Sequence, residues 1–569
     1  MLHNCAEIRK CEFFPDPLMI CHPSSDKADI LADASYQEPM LTVSVRRDTH
    51  SITSRQAGNE EVLLARLAAI VDCYTVEPSG LGVPPYLSVY ARQAFWALGR
   101  ACPGADVRYL TIDDLRWCWN GGRPFTPAPL SDQLTYSATA NRDDAVQILA
   151  DAEVVVVIAG DAVPSVHLQA RNGSPEEVEV ILGLIRGRRV LLGPLASQLR
   201  DHVGRFDAVH THTVTSGSLL SGSRAAAGYD SLAADRDSYS GLVAQLGWQP
   251  VAEIELYRGC TRRRFCSFCN EPVKSPHVRF RSPADVLAEI MLLYTAGVRN
   301  FRLGQQTCFF SYLNRDSDEI GWLLGAIRES CPDLEVLHID NADPLAVASP
   351  AGARIARLVA EHCTEGNCAP MGIESFDPAV IEANALTCTP EILLRAVGNI
   401  NEAGAHAGPH GLPVLLPGLN LVYGLPGETH RTHYENLSWL VRILDAGHLC
   451  HRINVRQAHA YPGTALSDEP PGMPPSAEHF ASWKADVSYV FDQPMKQRVY
   501  PAGMRIPGLH SFFVTARGTW HRRLGSYSIQ VVEPGTAHPL HESAALTVTG
   551  HEPRYIYGTR LASAGATTP

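Results

Sequence analysis

Apolar residues along this chain occur in short segments, some with the spacing of a strand and others with the spacing of a helix. Between residues 61 and 245, four apolar runs predict buried strands, and two stretches with apolar positions at helical spacing lie between them. The strand candidates are LAAIVDCYTV, ADVRYLTI, AEVVVVIAG and RRVLLGP, and the helix candidates are LSVYARQAFWALGRA and SPEEVEVILGLIRG. Strands that alternate with helices predict an α/β domain with a parallel, Rossmann-like sheet.

Residues 246–490 repeat a strand–helix unit six times. Several of the helices are predicted to begin at Ser-Pro or Thr-Pro, as at Ser349-Pro350 and Thr389-Pro390, because proline suits the first helical turn. The six predicted strands lie near 252–257, 300–304, 334–340, 369–375, 419–424 and 452–458. Six such units predict a partial (β/α)6 barrel that is open on one side, with its active site at the carboxyl ends of the strands.

The two ends of the chain differ from this pattern. Residues 1–60 have no regular period and are predicted to form an irregular leader. Residues 491–569 contain short strand-like runs, HSFFVTARG, SYSIQVVEP and AALTVTGH, which predict a small β-barrel. The predicted domains are therefore 1–60, 61–245, 246–490 and 491–569.

Composition narrows the functional classes. The 569 residues are 45% hydrophobic, yet no apolar run of 18 residues occurs, so we expect no membrane span. A net charge of −12 does not favour binding of a polyanion by the chain as a whole, so RNA is a disfavoured partner. Fifteen cysteines in a chain of this length do not resemble a secreted disulfide scaffold, and we expect a cytoplasmic location.

A cysteine motif carries the clearest chemical signal. Residues 255–272 read ELYRGCTRRRFCSFCNEP, with Cys260, Cys266 and Cys269 within ten residues. Three thiolates so close together suit a 4Fe-4S cluster in which one iron stays open for another ligand. A structural zinc site is the alternative, but zinc prefers four ligands and no fourth cysteine or histidine of matching spacing lies nearby.

A strand before these cysteines and a helix from Ser282-Pro283 after them resemble the first unit of a radical S-adenosylmethionine (radical SAM) barrel. Phe268, directly before the last cysteine, is typical of that superfamily. The usual motif has three residues between its first two cysteines, whereas this chain has five. The segments FRLG, HIDN, GIES, VYGLPGET and LGSY further resemble a poorly characterised, mainly archaeal group whose domain order is that of methylthiotransferases.

The resemblance implies roles for particular residues. Cys260, Cys266 and Cys269 would hold the cluster, and no catalytic side chain is assigned. The positions that would bind S-adenosylmethionine are Phe268, Gly304, Gln305, Glu374, Ser375, Gly424, Gly427 and Arg456. Gly304-Gln305 would contact the methionyl amine, Glu374 and Ser375 the ribose and carboxylate, the loop from Gly424 the adenine, and Arg456 the carboxylate.

The resemblance also implies the function. We expect a 5′-deoxyadenosyl radical that removes hydrogen from a small-molecule substrate, with a carbon–sulfur bond as one outcome, and an electron donor such as flavodoxin or ferredoxin. A methylthiotransferase-like enzyme acting on tRNA, a cobalamin-dependent methyltransferase, and a radical epimerase or dehydrogenase remain alternatives.

Two further cofactors stay open. The extra cysteines Cys308, Cys363, Cys368 and Cys388 leave room for a second iron–sulfur cluster, although small apolar roles are the simpler interpretation. The α/β domain resembles the one in cobalamin-dependent radical enzymes, but it lacks the Asp-x-His-x-x-Gly motif, so cobalamin remains open. The Gly/Pro loop at 77–86 is interpreted either as a ligand loop or as a rigid turn.

Overall fold

The computed structural model describes most of the chain from residue 54 onward, and the contacts of residues 52–569 form one unit. The described residues are 54–57, 60–74, 86–123, 138–159, 172–193, 203–212, 214–221, 228–234, 236–468, 476–535 and 537–560. Residues 77–85 of the Gly/Pro loop and almost all of the predicted leader lie outside them, whereas Tyr86, the last residue of that loop, is described. Residues 54–57 pair with 60–63, so residues at the end of the predicted leader belong to a strand.

The described residues of the first α/β region form eight strands and seven short to medium helices. The strands are β1 (Ser54–Ala57), β2 (Glu60–Leu63), β3 (Leu67–Asp72), β4 (Tyr86–Leu87), β5 (Asp106–Thr111), β6 (Val154–Ile158), β7 (Arg188–Leu192) and β8 (Ala208–His210). The helices are α1 (Val89–Ala101), α2 (Ile112–Trp119), α3 (Ala145–Asp151), α4 (Pro175–Leu184), α5 (Ser216–Leu219), α6 (Tyr229–Ala234) and α7 (Ser240–Val243).

Five of these strands form one parallel sheet in the order β5-β3-β6-β7-β8. Numbered along the chain, that order is 2-1-3-4-5, which is one of the two common doubly wound arrangements. The Rossmann-like prediction is confirmed, and β8 is an additional strand that its three residues were too few to reveal.

The central region contains the six predicted strand–helix units. Its strands are β9 (Val251–Glu255), β10 (Tyr257–Arg258), β11 (Arg279–Phe280), β12 (Asn300–Gly304), β13 (Val336–Ile339), β14 (Asn367–Glu374), β15 (Leu415–Tyr423) and β16 (Ile453–Gln457). Its helices are α8 (Glu271–Lys274), α9 (Pro283–Thr295), α10 (Ser317–Ser330), α11 (Pro344–Val347), α12 (Pro350–His362), α13 (Pro378–Ala383), α14 (Pro390–Gly404), α15 (His430–Asp445), α16 (Ala465–Asp468), α17 (Ala477–Val487) and α18 (Gln493–Val499).

The barrel is built from two parallel half-sheets. Strands β9, β12 and β13 form one half, β14, β15 and β16 form the other, and the Ala342–Met371 bridge joins them. The partial barrel predicted from the sequence is thus confirmed. Strand β4 adds a parallel strand beside β9, which the sequence did not indicate because β4 has only two residues.

Helix starts follow the expected capping chemistry. The hydroxyls of Ser282, Ser349 and Thr389 each accept a backbone N–H from the first turn, and proline follows each of them. These caps fix where α9, α12 and α14 begin, and hence how long the loops at the barrel mouth are.

The last region is a closed β-barrel, as predicted. Its strands, in the order β17-β18-β19-β21-β20, are β17 (Arg505–Thr515), β18 (Gly518–Arg523), β19 (Gln530–Pro534), β20 (Ser543–His551) and β21 (Ile556–Thr559). The apolar runs in the sequence indicated β17, β19 and β20 but not β18, whose sequence GTWHRR is polar, nor the four-residue β21.

A buried ion network joins the first region to the central barrel. Arg92 of α1 donates to the Glu289 carboxylate at 3.1 Å and to the backbone carbonyl of Glu253 at 2.6 Å. Arg281 and Tyr239 also bind the Glu289 carboxylate, at 2.6 and 2.8 Å. Helix α9, which follows the cysteine loop, is therefore anchored to both regions. Among the described residues, no helix is long and apolar enough to cross a bilayer.

Candidate active site

A cavity of about 1050 Å³ opens at the carboxyl ends of the central strands. Its wall contains the cysteine loop, the ends of β14 and β16, helix α17 and part of the small β-barrel. Of the residues predicted to bind cofactors, those in the wall are Cys260, Cys266, Cys269, Phe268, Glu374 and Arg456. Residues up to 196 positions apart in the sequence thus meet at one space, where parallel barrels carry their chemistry.

The cysteine loop is held by a close backbone approach at its start and by side-chain contacts near its end. Gly259 has φ of +85°, and a Cβ there would come within 2.7 Å of the His277 carbonyl oxygen, so only glycine fits before Cys260. Further along, the Ser267 hydroxyl is 2.6 Å from the Asn384 side-chain oxygen. Phe268 packs against Val422 and Leu425. These contacts orient the loop before any ligand binds.

Arg262 lies inside the loop, within the longer gap between the first two cysteines. Its guanidinium donates to the Cys266 sulfur at 3.0 Å and pairs with the Asp343 carboxylate at 2.9 Å. Asp343 in turn caps α11 and donates its backbone N–H to the Cys308 sulfur at 3.1 Å. The extra residues of the gap thus place a cation against one of the three thiols.

The three cysteines all line one cavity, as residues that hold a 4Fe-4S cluster would have to. Among the described residues, no group of three or more His, Cys, Asp or Glu side chains is gathered closely enough to hold one metal ion. A 4Fe-4S cluster makes a different demand, because each of three irons takes one thiolate and the thiols must surround a volume. The buried side-chain oxygen of Asn270, next to Cys269, also lines the cavity and has no hydrogen-bond partner within the described chain. An unpaired buried acceptor favours a site that is completed by a ligand.

The thiols are protonated in the protein without metal. Burial raises the pKa of Cys269 to about 12 and raises the pKa of Cys260 and Cys266 in the same direction. Arg262 lowers the pKa of Cys260 and of Cys266 and so opposes the effect of burial. Iron binding would therefore have to displace protons, as it does at any thiolate site.

Glu374 ends β14 in an unusual backbone conformation. Its φ is +63°, and its side chain folds over Gly372, where a Cβ would come within 2.1 Å of the carboxylate oxygen. Burial raises the pKa of Glu374 to about 7, while Arg456 and Arg262 act in the opposite direction. A half-buried carboxylate on a residue with left-handed backbone at a strand end is the kind of strain that collects at functional sites.

The other predicted cofactor positions do not line the cavity. Gly304 leaves room for Glu253, whose carboxylate oxygen would lie 2.7 Å from a Cβ there. Gln305 follows it with φ of +58°. Ser375 is buried in contact with Asn436, and Gly427 packs against the Ala379 carbonyl.

Gly424 likewise lies outside the cavity wall, and its N–H donates to the Glu428 carboxylate. The contacts of these five positions with a cofactor stay predictions.

Sequence reasoning missed the role of the LGSY segment. Gly525 has φ of +121°, and a Cβ there would lie 2.6 Å from His338 Nδ1. Ser526 donates its N–H to that nitrogen at 3.0 Å, and the Tyr527 hydroxyl reaches Asp340 at 3.3 Å. This loop of the small β-barrel is thus inserted against strand β13, and Tyr527 enters the cavity wall. LGSY and HIDN lie far apart in the sequence, and no local pattern in either segment indicates that they meet.

The remaining cysteines are dispersed. Cys308 lines the cavity, whereas Cys363 and Cys368 are buried at the amino end of β14. The Cys388 thiol donates to the Thr389 carbonyl oxygen at 3.3 Å. The structure therefore brings only one of these four to the wall of the site.

Comparisons with known proteins agree with this geometry. Residues 254–440 match the model of the Radical SAM superfamily. An uncharacterised protein of Methanocaldococcus jannaschii is 32% identical over 513 residues, which are 83% of this chain and 89% of that protein. A tRNA-2-methylthio-N(6)-dimethylallyladenosine synthase of Azobacteroides pseudotrichonymphae is 24% identical over 191 residues, 33% of this chain and 39% of that one.

Among solved structures, the cobalamin-dependent S-adenosylmethionine radical enzyme OxsB with aqua-cobalamin bound is 11% identical, with a TM-score of 0.44 over 75% of this chain and 56% of that chain. The match to the superfamily model spans the cysteine loop and most of the barrel, and the archaeal relative is matched over nearly its whole length. The chain belongs to the radical SAM superfamily, whose enzymes use a 4Fe-4S cluster and S-adenosylmethionine.

Proposed function

We propose that Cys260, Cys266 and Cys269 hold the 4Fe-4S cluster and that the enzyme removes a hydrogen atom from a small organic substrate bound in the same cavity. The observation that carries the proposal is the meeting of all three thiols with Glu374 and Arg456 around one space of about 1050 Å³. That volume lies at the upper end of the usual range for ligand cavities, which suits a cofactor and a substrate together.

When bound, the cluster supplies one electron that cleaves S-adenosylmethionine and so generates a 5′-deoxyadenosyl radical. The protein's own part is to bind, orient and exclude water. In this proposal Arg456 receives a carboxylate, and Glu374 accepts hydrogen bonds from hydroxyl groups. Phe265, Phe268, Trp520 and Tyr527 supply apolar wall that keeps water from the reactive centre.

Backbone positions complete the proposed cofactor site. Gly304 ends strand β12 with Gln305 directly after it, and the Gly424–Gly427 turn follows β15, so both turns come at the carboxyl ends of central strands. Their proposed partners are the methionyl amine and the adenine. Ser375 belongs to this set by its position after Glu374.

The electron would come from a small redox protein such as flavodoxin or ferredoxin. Arg263, Arg264 and Phe265 are exposed between the first two cysteines. A basic, partly apolar tip beside the proposed cluster suits an acidic donor surface, since complementary charge speeds association.

Carbon–sulfur bond formation is a second candidate. It is favoured by the similarity to the tRNA-2-methylthio-N(6)-dimethylallyladenosine synthase and by the order of an α/β region, a central barrel and a small β-barrel, which resembles that of methylthiotransferases. A sulfur donor such as a second cluster would be required. Epimerisation or dehydrogenation needs no such donor, and a cobalamin-dependent methyl transfer would reveal itself by a corrinoid spectrum of the purified protein.

Iron and sulfide content after anaerobic reconstitution tests the proposal. Wild type should bind about four irons per chain if it holds one cluster. The Cys260→Ala/Cys266→Ala/Cys269→Ala variant should bind none in that case, and about four if a second cluster supports sulfur insertion. A triple variant that retains the full wild-type iron content would contradict the assignment of these cysteines.

A further inference from the structure

Ser267, between the second and third cysteines of the motif, holds the cysteine loop through all of its polar groups. Its N–H donates to the Asn384 backbone carbonyl at 3.2 Å, and its hydroxyl donates to the Asn384 side-chain oxygen at 2.6 Å. Its own carbonyl accepts the Leu466 N–H at 2.8 Å. Ser267 and Asn384 both lie outside the cavity wall, so these contacts act on the loop and not on a ligand.

The Asn384 side chain also binds the turn at 424–427, which follows β15. Its Nδ2 group donates to the Pro426 carbonyl and to the Val380 carbonyl, both at 2.8 Å. Both amide hydrogens are thus used, which fixes the side-chain oxygen as the atom that faces Ser267. Asn384 is fully buried, so water cannot replace a lost contact there. One side chain therefore joins the cysteine loop to this turn.

Helix α13, which directly precedes Asn384, packs against the same two segments. Phe268 of the cysteine loop packs against an apolar cluster that includes Val380 of this helix. Gly427 of the turn has φ of +84°, and a Cβ there would lie 2.9 Å from the Ala379 carbonyl oxygen. The helix is thus in close contact with the loop and with the turn, and Asn384 at its end is hydrogen-bonded to both.

We propose that Asn384 is a positioning residue that fixes the separation between the three-cysteine loop and the turn at 424–427. This inference rests on the proposed function, in which the loop holds the cluster and the turn borders the adenine of S-adenosylmethionine. Because the cofactor reaches from one to the other, both of its ends are bound well only when that separation is kept. A misplacement of about 1 Å can cost about 100-fold in rate.

Anaerobically reconstituted Ser267→Ala and Asn384→Leu test the proposal. The readouts are iron content, the dissociation constant for S-adenosylmethionine and the formation of 5′-deoxyadenosine under dithionite. Both variants should keep the wild-type iron content and bind S-adenosylmethionine at least fivefold more weakly than wild type. The double variant should bind it no more weakly than Asn384→Leu does, because both changes break the same link. Ser267→Ala removes only a hydroxyl and keeps the test valid if Asn384→Leu does not fold.

Asn401→Leu is the matched control. The Asn401 amide donates to the Val397 carbonyl at 3.1 Å and to the Leu449 carbonyl at 2.8 Å, and its oxygen accepts the Leu449 N–H. It thus repeats the bonding pattern of Asn384, but it joins segments outside the cavity wall. Asn401→Leu should lower the melting temperature and leave the affinity for S-adenosylmethionine unchanged.

Wild-type affinity in Ser267→Ala and in folded Asn384→Leu would overturn the proposal, because the contacts would then be merely structural. Equal losses of affinity in Asn384→Leu and Asn401→Leu would also overturn it, by assigning the effect to a general loss of stability. So would additive losses in the double variant, since the two residues would then act separately. A wild-type protein that binds no iron or forms no 5′-deoxyadenosine would instead contradict the proposed function.

Discussion

Arg262 places a positive charge within the cysteine motif. Its guanidinium contacts both the Cys266 sulfur and the Asp343 carboxylate. Hydrogen bonds to cluster sulfurs and nearby positive charge stabilise the reduced, more negative state. The longer gap in the motif therefore has a physical use, which the spacing alone could not reveal.

Replacing Arg262 should make the cluster harder to reduce. We expect Arg262→Met to shift the midpoint potential by about −60 mV, which corresponds to about 1.4 kcal/mol for one electron. The shift would be measured by a redox titration followed by electron paramagnetic resonance. Arg264→Met, an exposed residue of the same loop, is the control. Equal potentials in the two variants would show that the Arg262 contact has no electronic role.

Glu374 should contribute to cofactor affinity. Glu374→Ala is expected to weaken binding of S-adenosylmethionine by roughly 1.5–3 kcal/mol, the usual worth of a hydrogen bond to a charged group. Equilibrium binding to the reconstituted protein measures this, and Glu382→Ala on the exposed side of α13 serves as the control. An unaltered dissociation constant in Glu374→Ala would mean that the carboxylate only supports the strand end.

At the scale of elements, helix α9 is fixed by the buried carboxylate of Glu289. Glu289→Gln would leave Arg92 and Arg281 without their full counter-charge. Breaking a buried ion pair typically costs about 3–5 kcal/mol, so we expect a loss of that size in the free energy of unfolding of the apoprotein. Asp318→Asn removes an exposed ion pair with Arg354 and should cost no more than about 1 kcal/mol. Similar losses in both variants, measured by urea unfolding, would contradict the account.

The same network predicts a pH dependence. Burial alone would raise the pKa of Glu289, but Arg281, Arg92 and Arg236 outweigh it and hold the pKa well below its ordinary value of 4.5. The stabilisation is therefore complete above about pH 4.5 and is lost progressively as the pH falls below that value. Between pH 6 and pH 3 the wild-type apoprotein should lose more stability than Glu289→Gln does. Parallel curves of stability against pH for the two proteins would exclude Glu289 as the source of the pH dependence.

The LGSY loop is the second element whose geometry matters. In Gly525→Ala, a Cβ would lie 2.6 Å from His338 Nδ1, whereas Gly535→Ala places its Cβ in open space. Both positions have positive φ, so both variants carry about 1–3 kcal/mol of backbone strain, and only the first adds overpacking of similar size. The melting temperature should fall clearly further in Gly525→Ala. Equal falls would show that the inserted loop tolerates displacement.

Elements with strong periodicity were predictable, and contacts across regions were not. Apolar runs were enough to predict the strands in AEVVVVIAG and RRVLLGP. Capping residues followed by proline were enough to predict where α9, α12 and α14 begin. Strand β18 was missed because its sequence GTWHRR is polar although most of its residues are buried. Strands β4 and β8 were missed because they are short. The insertion of Tyr527 beside Asp340 joins residues 187 positions apart, and no local pattern encodes such a contact.

At the scale of the whole molecule, the central barrel and the small β-barrel converge on one cavity. The central barrel supplies the cysteine loop, Glu374 and Arg456, while the small β-barrel supplies Trp520 and Tyr527. The first region contributes through the anchor at Arg92. The order of regions was visible in the sequence, whereas their joint contribution to the cavity follows only from the packing of the last region against β13.

The central claim is that the three-cysteine site cleaves S-adenosylmethionine, and 5′-deoxyadenosine is its direct product. The decisive measurement is chromatographic quantification of 5′-deoxyadenosine after anaerobic incubation of reconstituted enzyme with S-adenosylmethionine and dithionite. Wild type and Cys331→Ala, which alters a buried cysteine outside the cavity, should form it, and Cys266→Ala should form none. Cleavage at the wild-type rate in Cys266→Ala would contradict the account.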